Sequence, residues 1–153
     1  MNPEARLQEL GLELPPLPPA VGNYVGAVSI GSILFVAGHG PFKDGKPHFL
    51  GKLGRDYGVE EGQQAAKLVM LNMLATIKHT VGSLERIKRV VKLLCMVNST
   101  PEFRDQPQVA NGASDLLVAI FGEQRGKHAR SAVGMAALPF GIAVEIEGIF
   151  ELA

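Results

Sequence analysis

The chain has 153 residues, 46% of them apolar and 20% charged, and its fifteen basic and fifteen acidic side chains leave no formal net charge. That length and balance fit one soluble domain, read here as spanning residues 1–153, with a real hydrophobic core. They give no basic surface for nucleic acid and no apolar run near the roughly 20 residues of a membrane span.

A single cysteine excludes an internal disulfide and suits a reducing compartment. The stretch "MNPEARLQELGLELPPLPP" has no basic segment followed by an apolar one, so no secretory signal is expected and the chain reads as cytoplasmic. Zero net charge with a mean hydropathy of +0.16 favours self-association.

In chain order, "PEARLQEL" at 3–10 predicts a short helix closed by Gly11, and "PPLPP" at 15–19 a stiff extended connector; together residues 1–19 form an N-terminal extension. "AVSIGSILFVAG" predicts a hairpin turning at Gly31-Ser32. Residues 40–58 are rich in glycine and proline and predict a long loop, of the kind that is often functional. From Val59 the acids come first, Ala65, Leu68, Val69, Met73 and Ile77 recur at helical spacing, and Gly82 ends the run. "IKRVVKLLCMVN" predicts a central strand, and the basic residues of "LERIKRVVK" its solvated side.

Thr100 and Asp105 are capping residues around a break at Pro101 and Pro107. Val109, Ala110, Ala113, Leu116, Leu117, Ile120 and Phe121 then mark one face of a second helix. The remainder predicts two strands joined at Pro139-Phe140-Gly141. The order β-β-α-β-α-β-β, with two amphipathic helices on one antiparallel or mixed sheet, is an α+β layer.

Two charges stand out in the closing apolar stretch. Arg130 shares strand parity with Ala132, Gly134, Ala136 and Leu138, so it projects from a small, apolar surface and needs an anionic or hydrogen-bonding partner. An internal ion pair or a strand end reaching water would also supply this. Glu145 shares parity with Glu147 and Glu151, the pattern of a solvated strand face. If residues 129–150 form one hairpin turning at Phe140, the two charges lie five positions apart, roughly 16 Å at about 3.3 Å per residue. They could share a site only if a second subunit brought its own copy of one to the other.

Ala129-Arg130-Ser131, Leu138-Pro139 and Val144-Glu145-Ile146, with alternating small and apolar residues between them, resemble the signature of the RidA (YjgF/YER057c/UK114) family, also called the endoribonuclease L-PSP family. "VGNYVGAVSIGSILFVAGHGP" resembles the family's N-terminal hairpin, and the element order matches over roughly residues 20–150.

The resemblance implies a chorismate-mutase-like α+β protomer, a homotrimer, and sites in the clefts between subunits. It implies a cofactor-free deaminase in which Arg130 grips the carboxylate of a 2-imino acid. Glu145 positions or activates the water that releases ammonia and a 2-oxo acid. Tyr24, Gly38, His39, Asn111 and Ser131 are carried over as substrate-binding positions. The chain departs from the family pattern at Val25 and Gly26, where Ser-Gln is usual. It departs again at Ala37 and His39, where serine and glutamine flank the glycine, and at Ala132, where many active members have cysteine.

Cys95, in "KLLCMV", reads as a buried structural thiol. His39, His48, His79 and His128 have no ligand spacing, so no metal is expected. His39 follows a strand in a Gly-His-Gly turn from which it could reach a cleft, and His128 shares parity with Arg130. "GHG" lacks the Lys-Ser/Thr and the following helix of a phosphate loop.

Three functions follow as expectations. The first is an imine or enamine deaminase. The second is a binder of small carboxylates on the same fold, favoured by the changed polar positions. The third is an endoribonuclease, disfavoured by the neutral charge.

Overall fold

The computed structural model describes residues 2–17 and 22–153. Asn2 caps the first helix, α1 (Pro3–Glu9), its Oδ1 accepting from the Glu4 and Ala5 amides at 2.9 and 3.2 Å, with Pro3 in the first turn. Gly11, at φ +68°, ends it as the sequence predicts. Leu7 is buried, and Arg6 Nε donates to the Ala119 carbonyl, which docks α1 on the later helix that carries Ala119. Of the Pro-rich connector, Pro15–Leu17 carry no regular secondary structure. Pro18 and Pro19 lie outside the described residues.

β1 (Ala27–Ile30) and β2 (Ile33–His39) form the expected hairpin, with Gly31 at φ +57° in the turn. The segment 40–58 is more ordered than a loop. It contains a small hairpin, β3 (Phe42–Lys43) and β4 (Lys46–Pro47), turning on Asp44-Gly45, both at positive φ. Asp-Gly is the sequence signal for that turn. Beyond it the segment is stitched to the end of the main sheet by Gly51 N–H to the Gly141 carbonyl, Leu53 N–H to that of Asn98, and Ala143 N–H to that of Phe49.

α2 runs from Val59 to Val81, its first turn closed by the Glu61 carboxylate on the Gly58 amide at 3.1 Å. A short 3-10 turn (Leu84–Arg86) leads into β5 (Ile87–Asn98). α3 spans Gln106–Gly126. Asp105 occupies its N-cap position without a side-chain cap bond; the Gln106 side chain instead ties this end down, its Nε2 donating to the Phe103 carbonyl at 2.9 Å and to Ser99 Oγ at 3.3 Å. β6 (Ala129–Met135), a second 3-10 turn (Pro139–Gly141) and β7 (Val144–Leu152) complete the chain.

The main sheet has the order β1-β2-β7-β5-β6. This corrects the closing hairpin expected from the sequence: β6 and β7 are not paired, because β5 lies between them, parallel to β6 and antiparallel to β7. β5-α3-β6 is a parallel crossover unit, so the sheet is mixed. The two long helices cover one face. There Ala65, Val69, Met73 and Ile77 of α2 are buried, together with all of the predicted α3 face, against Leu34, Leu93, Cys95, Val97, Ile146 and Phe150 of the sheet; Leu68 is only half-buried. The other face is open. Val28 and Phe35 remain 52% and 45% exposed there, and a groove of about 530 Å³ runs between Val28, Phe35, Leu94, Glu147 and Ile149.

Candidate functional site

Arg130 and Glu145 are fixed by strand register. Arg130 pairs with Leu93 of β5 and Glu145 with Met96, on opposite sides of that strand. Three residues along β5 and two strand spacings put their α carbons roughly 14 Å apart, at about 3.3 Å per residue and 4.8 Å per strand. They also face opposite sides of the sheet. Arg130, with the buried Leu93, points toward the helices, and Glu145, between the buried Val144 and Ile146, points to the open face. The two therefore do not meet within one chain, and the reason is the interposed strand together with the face reversal.

Arg130 sits on the edge strand β6 and is held by α3. Its Nη1 donates to Asn111 Oδ1 at 2.8 Å and to Ser114 Oγ at 3.1 Å, and its Nη2 to the Pro107 carbonyl at 3.3 Å. All three acceptors are neutral, and among the described residues no carboxylate lies in ion-pair range of it. A guanidinium has five N–H donors. The three bonds leave Nε–H and one Nη2–H, the side-on edge that matches a carboxylate in bidentate fashion. Asn111, expected at the site by resemblance, is thus in direct contact with Arg130. Ser114, three residues on along the same helix, was not singled out in the sequence; its spacing from Asn111 was the available signal.

Glu145 is half-buried on the open face beside Gly38, where a β-carbon would overlap its carboxylate. Burial, reinforced by the like charge of Glu147, raises its pKa above the ordinary carboxylate value of 4.5. Gly38 and His39 owe their places to a bulge. The β2–β7 register shifts between Val36 and His39. The extra residue breaks the alternation, turning Gly38 toward Glu145 and His39 into the core.

His39 is 6% exposed, with Nδ1 2.6 Å from the Ala37 carbonyl and Nε2 2.7 Å from Thr76 Oγ1 of α2. Both ring nitrogens are engaged under the helix, and burial lowers its pKa despite the carbonyl contact. Ser131 is exposed on the open side of β6, and Tyr24 is exposed in the segment entering β1. At Gly26 a β-carbon would come within 2.6 Å of Thr76 Cγ2, so no side chain fits where the resembled family has glutamine.

His39 thus lies in the core and Tyr24 ahead of β1, and the other five candidates fall into two groups. Arg130 and Asn111 lie at the sheet edge under α3, and Glu145, Gly38 and Ser131 lie on the open face. Cys95 is fully buried, its thiol pushed up to about 12 by burial and held down in part by Arg130.

The family model described as "YjgF/chorismate_mutase-like, putative endoribonuclease" matches residues 4–146. Protein TCP17 of Trypanosoma cruzi is 47% identical over 148 residues, covering 97% of this chain and 92% of that protein. Among solved structures, the protein Atu1372 of Agrobacterium tumefaciens, of unknown function, is 46% identical with a TM-score of 0.90, covering 98% of this chain and 91% of that one. A "putative endoribonuclease" of Shewanella oneidensis is 38% identical with a TM-score of 0.96, covering 99% of this chain and 100% of that one. With the match running from the first helix into the strand that carries Glu145, the chain belongs to the YjgF/chorismate-mutase-like family.

Proposed function

We propose that this protein is a RidA-type hydrolase that converts 2-imino and enamine acids to 2-oxo acids and ammonia, in clefts between the subunits of a homotrimer. The observation that carries the reading is Arg130. It is a cation locked by neutral acceptors at a sheet edge, with no carboxylate in ion-pair range among the described residues and with Nε–H and one Nη2–H outside those three bonds. Such a group is a carboxylate anchor in waiting.

Glu145 supplies the second half. A carboxylate with a raised pKa next to water is suited to general-base work. Water adds to the C=N carbon, giving its proton to Glu145, which passes it to the nitrogen. The carbinolamine then loses ammonia as its hydroxyl becomes the 2-oxo group. An enamine first tautomerises to the imine. Arg130 and Glu145 of one chain stand on opposite faces and about 14 Å apart, so the reading requires Arg130 of one subunit to work with Glu145 of its neighbour. The open apolar face around Val28 and Phe35 offers the surface on which subunits would associate.

A second reading is favoured by one observation. Where the resembled family places polar side chains, this chain has Val25, Gly26, Ala37 and Ala132, and at position 26 α2 leaves no room for any. With those contacts gone, the cleft would hold a small carboxylate without turning it over. Ammonia release from a 2-imino acid generated in situ decides between the two. Release above the spontaneous rate supports the hydrolase, and none, with carboxylate binding intact, supports the binder.

A further inference from the structure

The hydrogen-bond chain from Arg130 continues beyond α3. Ser114 Oγ, which accepts from Arg130 Nη1 at 3.1 Å, lies 2.9 Å from His128 Nε2, and His128 Nδ1 lies 2.7 Å from the Gly126 carbonyl. A carbonyl only accepts, so Nδ1 carries the imidazole proton. Nε2 is then the bare acceptor, and the Ser114 hydroxyl must give it its hydrogen. The direction of every bond is fixed, from guanidinium to hydroxyl to imidazole to backbone.

This direction belongs to the neutral imidazole; protonation would make Nε2 a second donor onto Ser114 Oγ and turn the hydroxyl hydrogen away. Burial and the nearby Arg130 charge both act against protonation of His128, and only the Gly126 carbonyl acts for it. Bonds aligned head to tail polarise one another, so Ser114 is a better acceptor for Arg130 than an isolated serine would be.

We propose that Ser114 and His128 are positioning residues, which hold the Arg130 guanidinium so that its free Nε–H and Nη2–H edge faces a planar carboxylate. The proposal rests on the reading of Arg130 as the carboxylate anchor and adds what fixes its orientation. Asn111 and Ser114 are three residues apart on α3, so together they take both Nη1 hydrogens from one helix face. Removing Ser114 leaves the positive charge in place but lets the plane of the fork rotate. Removing His128 leaves the Ser114 hydroxyl without its acceptor and frees it to turn.

Calorimetric titration with pyruvate, a small 2-oxo acid, tests this on the intact protein. Arg130→Ala should abolish binding. Ser114→Ala and His128→Phe should each weaken it about three- to tenfold, the scale of one lost hydrogen bond. Ser114→Thr, which keeps the hydroxyl, should restore it. Because the two act in series, Ser114→Ala combined with His128→Phe should bind no more weakly than Ser114→Ala alone.

Wild-type affinity in Arg130→Ala overturns the anchor reading and this inference with it. Wild-type affinity in both Ser114→Ala and His128→Phe, with binding lost in Arg130→Ala, overturns the inference alone. Should Ser114→Ala fail to fold, His128→Phe against Arg130→Ala decides by the same criterion.

Discussion

Gly38 makes the space that the Glu145 carboxylate fills. A β-carbon at position 38 would overlap Glu145 Oε2 and come within 3.1 Å of its carboxyl carbon. The bulge in β2 brings this glycine to the open face. Gly38→Ala is therefore expected to fold, since the nearest atoms a β-carbon meets there belong to the Glu145 side chain, but to push that side chain aside. Imine hydrolysis should drop about 10-fold or more while pyruvate affinity changes little, because Arg130 is untouched; a misplaced catalytic group costs rate in this way. Parallel turnover and calorimetric measurements check it.

Glu145→Gln separates enzyme from binder. Gln keeps the shape and an acceptor oxygen but cannot take a proton at neutral pH. Hydrolysis of a 2-imino acid should fall by about 10²–10⁴-fold, the usual worth of general acid–base catalysis, with carboxylate binding retained. A variant with wild-type turnover would return Glu145 to the solvated strand face that its spacing from Glu147 and Glu151 first suggests.

The pH profile follows from the same residue. A base works deprotonated, so activity should be lost as pH falls through the Glu145 pKa. Burial first, and then Glu147, raise that pKa above 4.5. The acid limb should therefore lie above the ordinary carboxylate range. Glu147→Gln removes the like charge and should move the limb to lower pH without abolishing the shift, because burial remains. An unmoved limb would assign it to another group.

How much of this was legible in the sequence depends on which interactions a pattern encodes. α2 was legible because its apolar period, first-turn acids and closing Gly82 are local, and α3 because its apolar face and the Pro107 at its start are. The β1–β2 hairpin was legible because Gly31 marks its turn. The pairing of β6 was not. Leu138-Pro139-Phe140-Gly141 looks like a turn, but a strand's own residues do not name its hydrogen-bonding neighbour, and β5 enters from elsewhere in the chain.

The position of His39 was hidden for a related reason. Strict alternation from the buried Val36 would send residue 39 outward, and one bulged residue reverses it. Arg130 was conspicuous as a charge among small residues. Its neutral cradle of Asn111, Ser114 and the Pro107 carbonyl needed the fold, since α3 must lie over β6 to supply all three.

His39 and His128 together predict acid sensitivity of the fold. Both have pKa values lowered from 6.5, chiefly by burial. A depressed folded-state pKa means that the unfolded chain takes up the proton first. Their contribution to stability is then complete above about pH 6.5 and is lost as pH falls from there through the folded values. Urea midpoints should decline over that window. Thr76→Val should lower stability at neutral pH by about 1–3 kcal/mol, since it leaves the buried His39 Nε2 without its donor.

The shared-site model stands or falls on the oligomer. Arg130 and Glu145 of one chain are separated by β5 and by the thickness of the sheet, so a 2-imino acid touching both needs two subunits. Light scattering at micromolar concentration should give about 49 kDa, three times the 16.3 kDa chain. Phe35→Glu places a charge on the open apolar face, where Phe35 is 45% exposed in the single chain, and should dissociate the assembly without unfolding it.

Activity should disappear with the trimer. Mixing inactive Arg130→Ala with inactive Glu145→Gln should restore a fraction of it, because some clefts then pair an intact Arg130 with an intact Glu145. Recovery on mixing cannot come from a site held within one chain. A 16.3 kDa species with full activity would place the chemistry in a single subunit and remove the shared cleft.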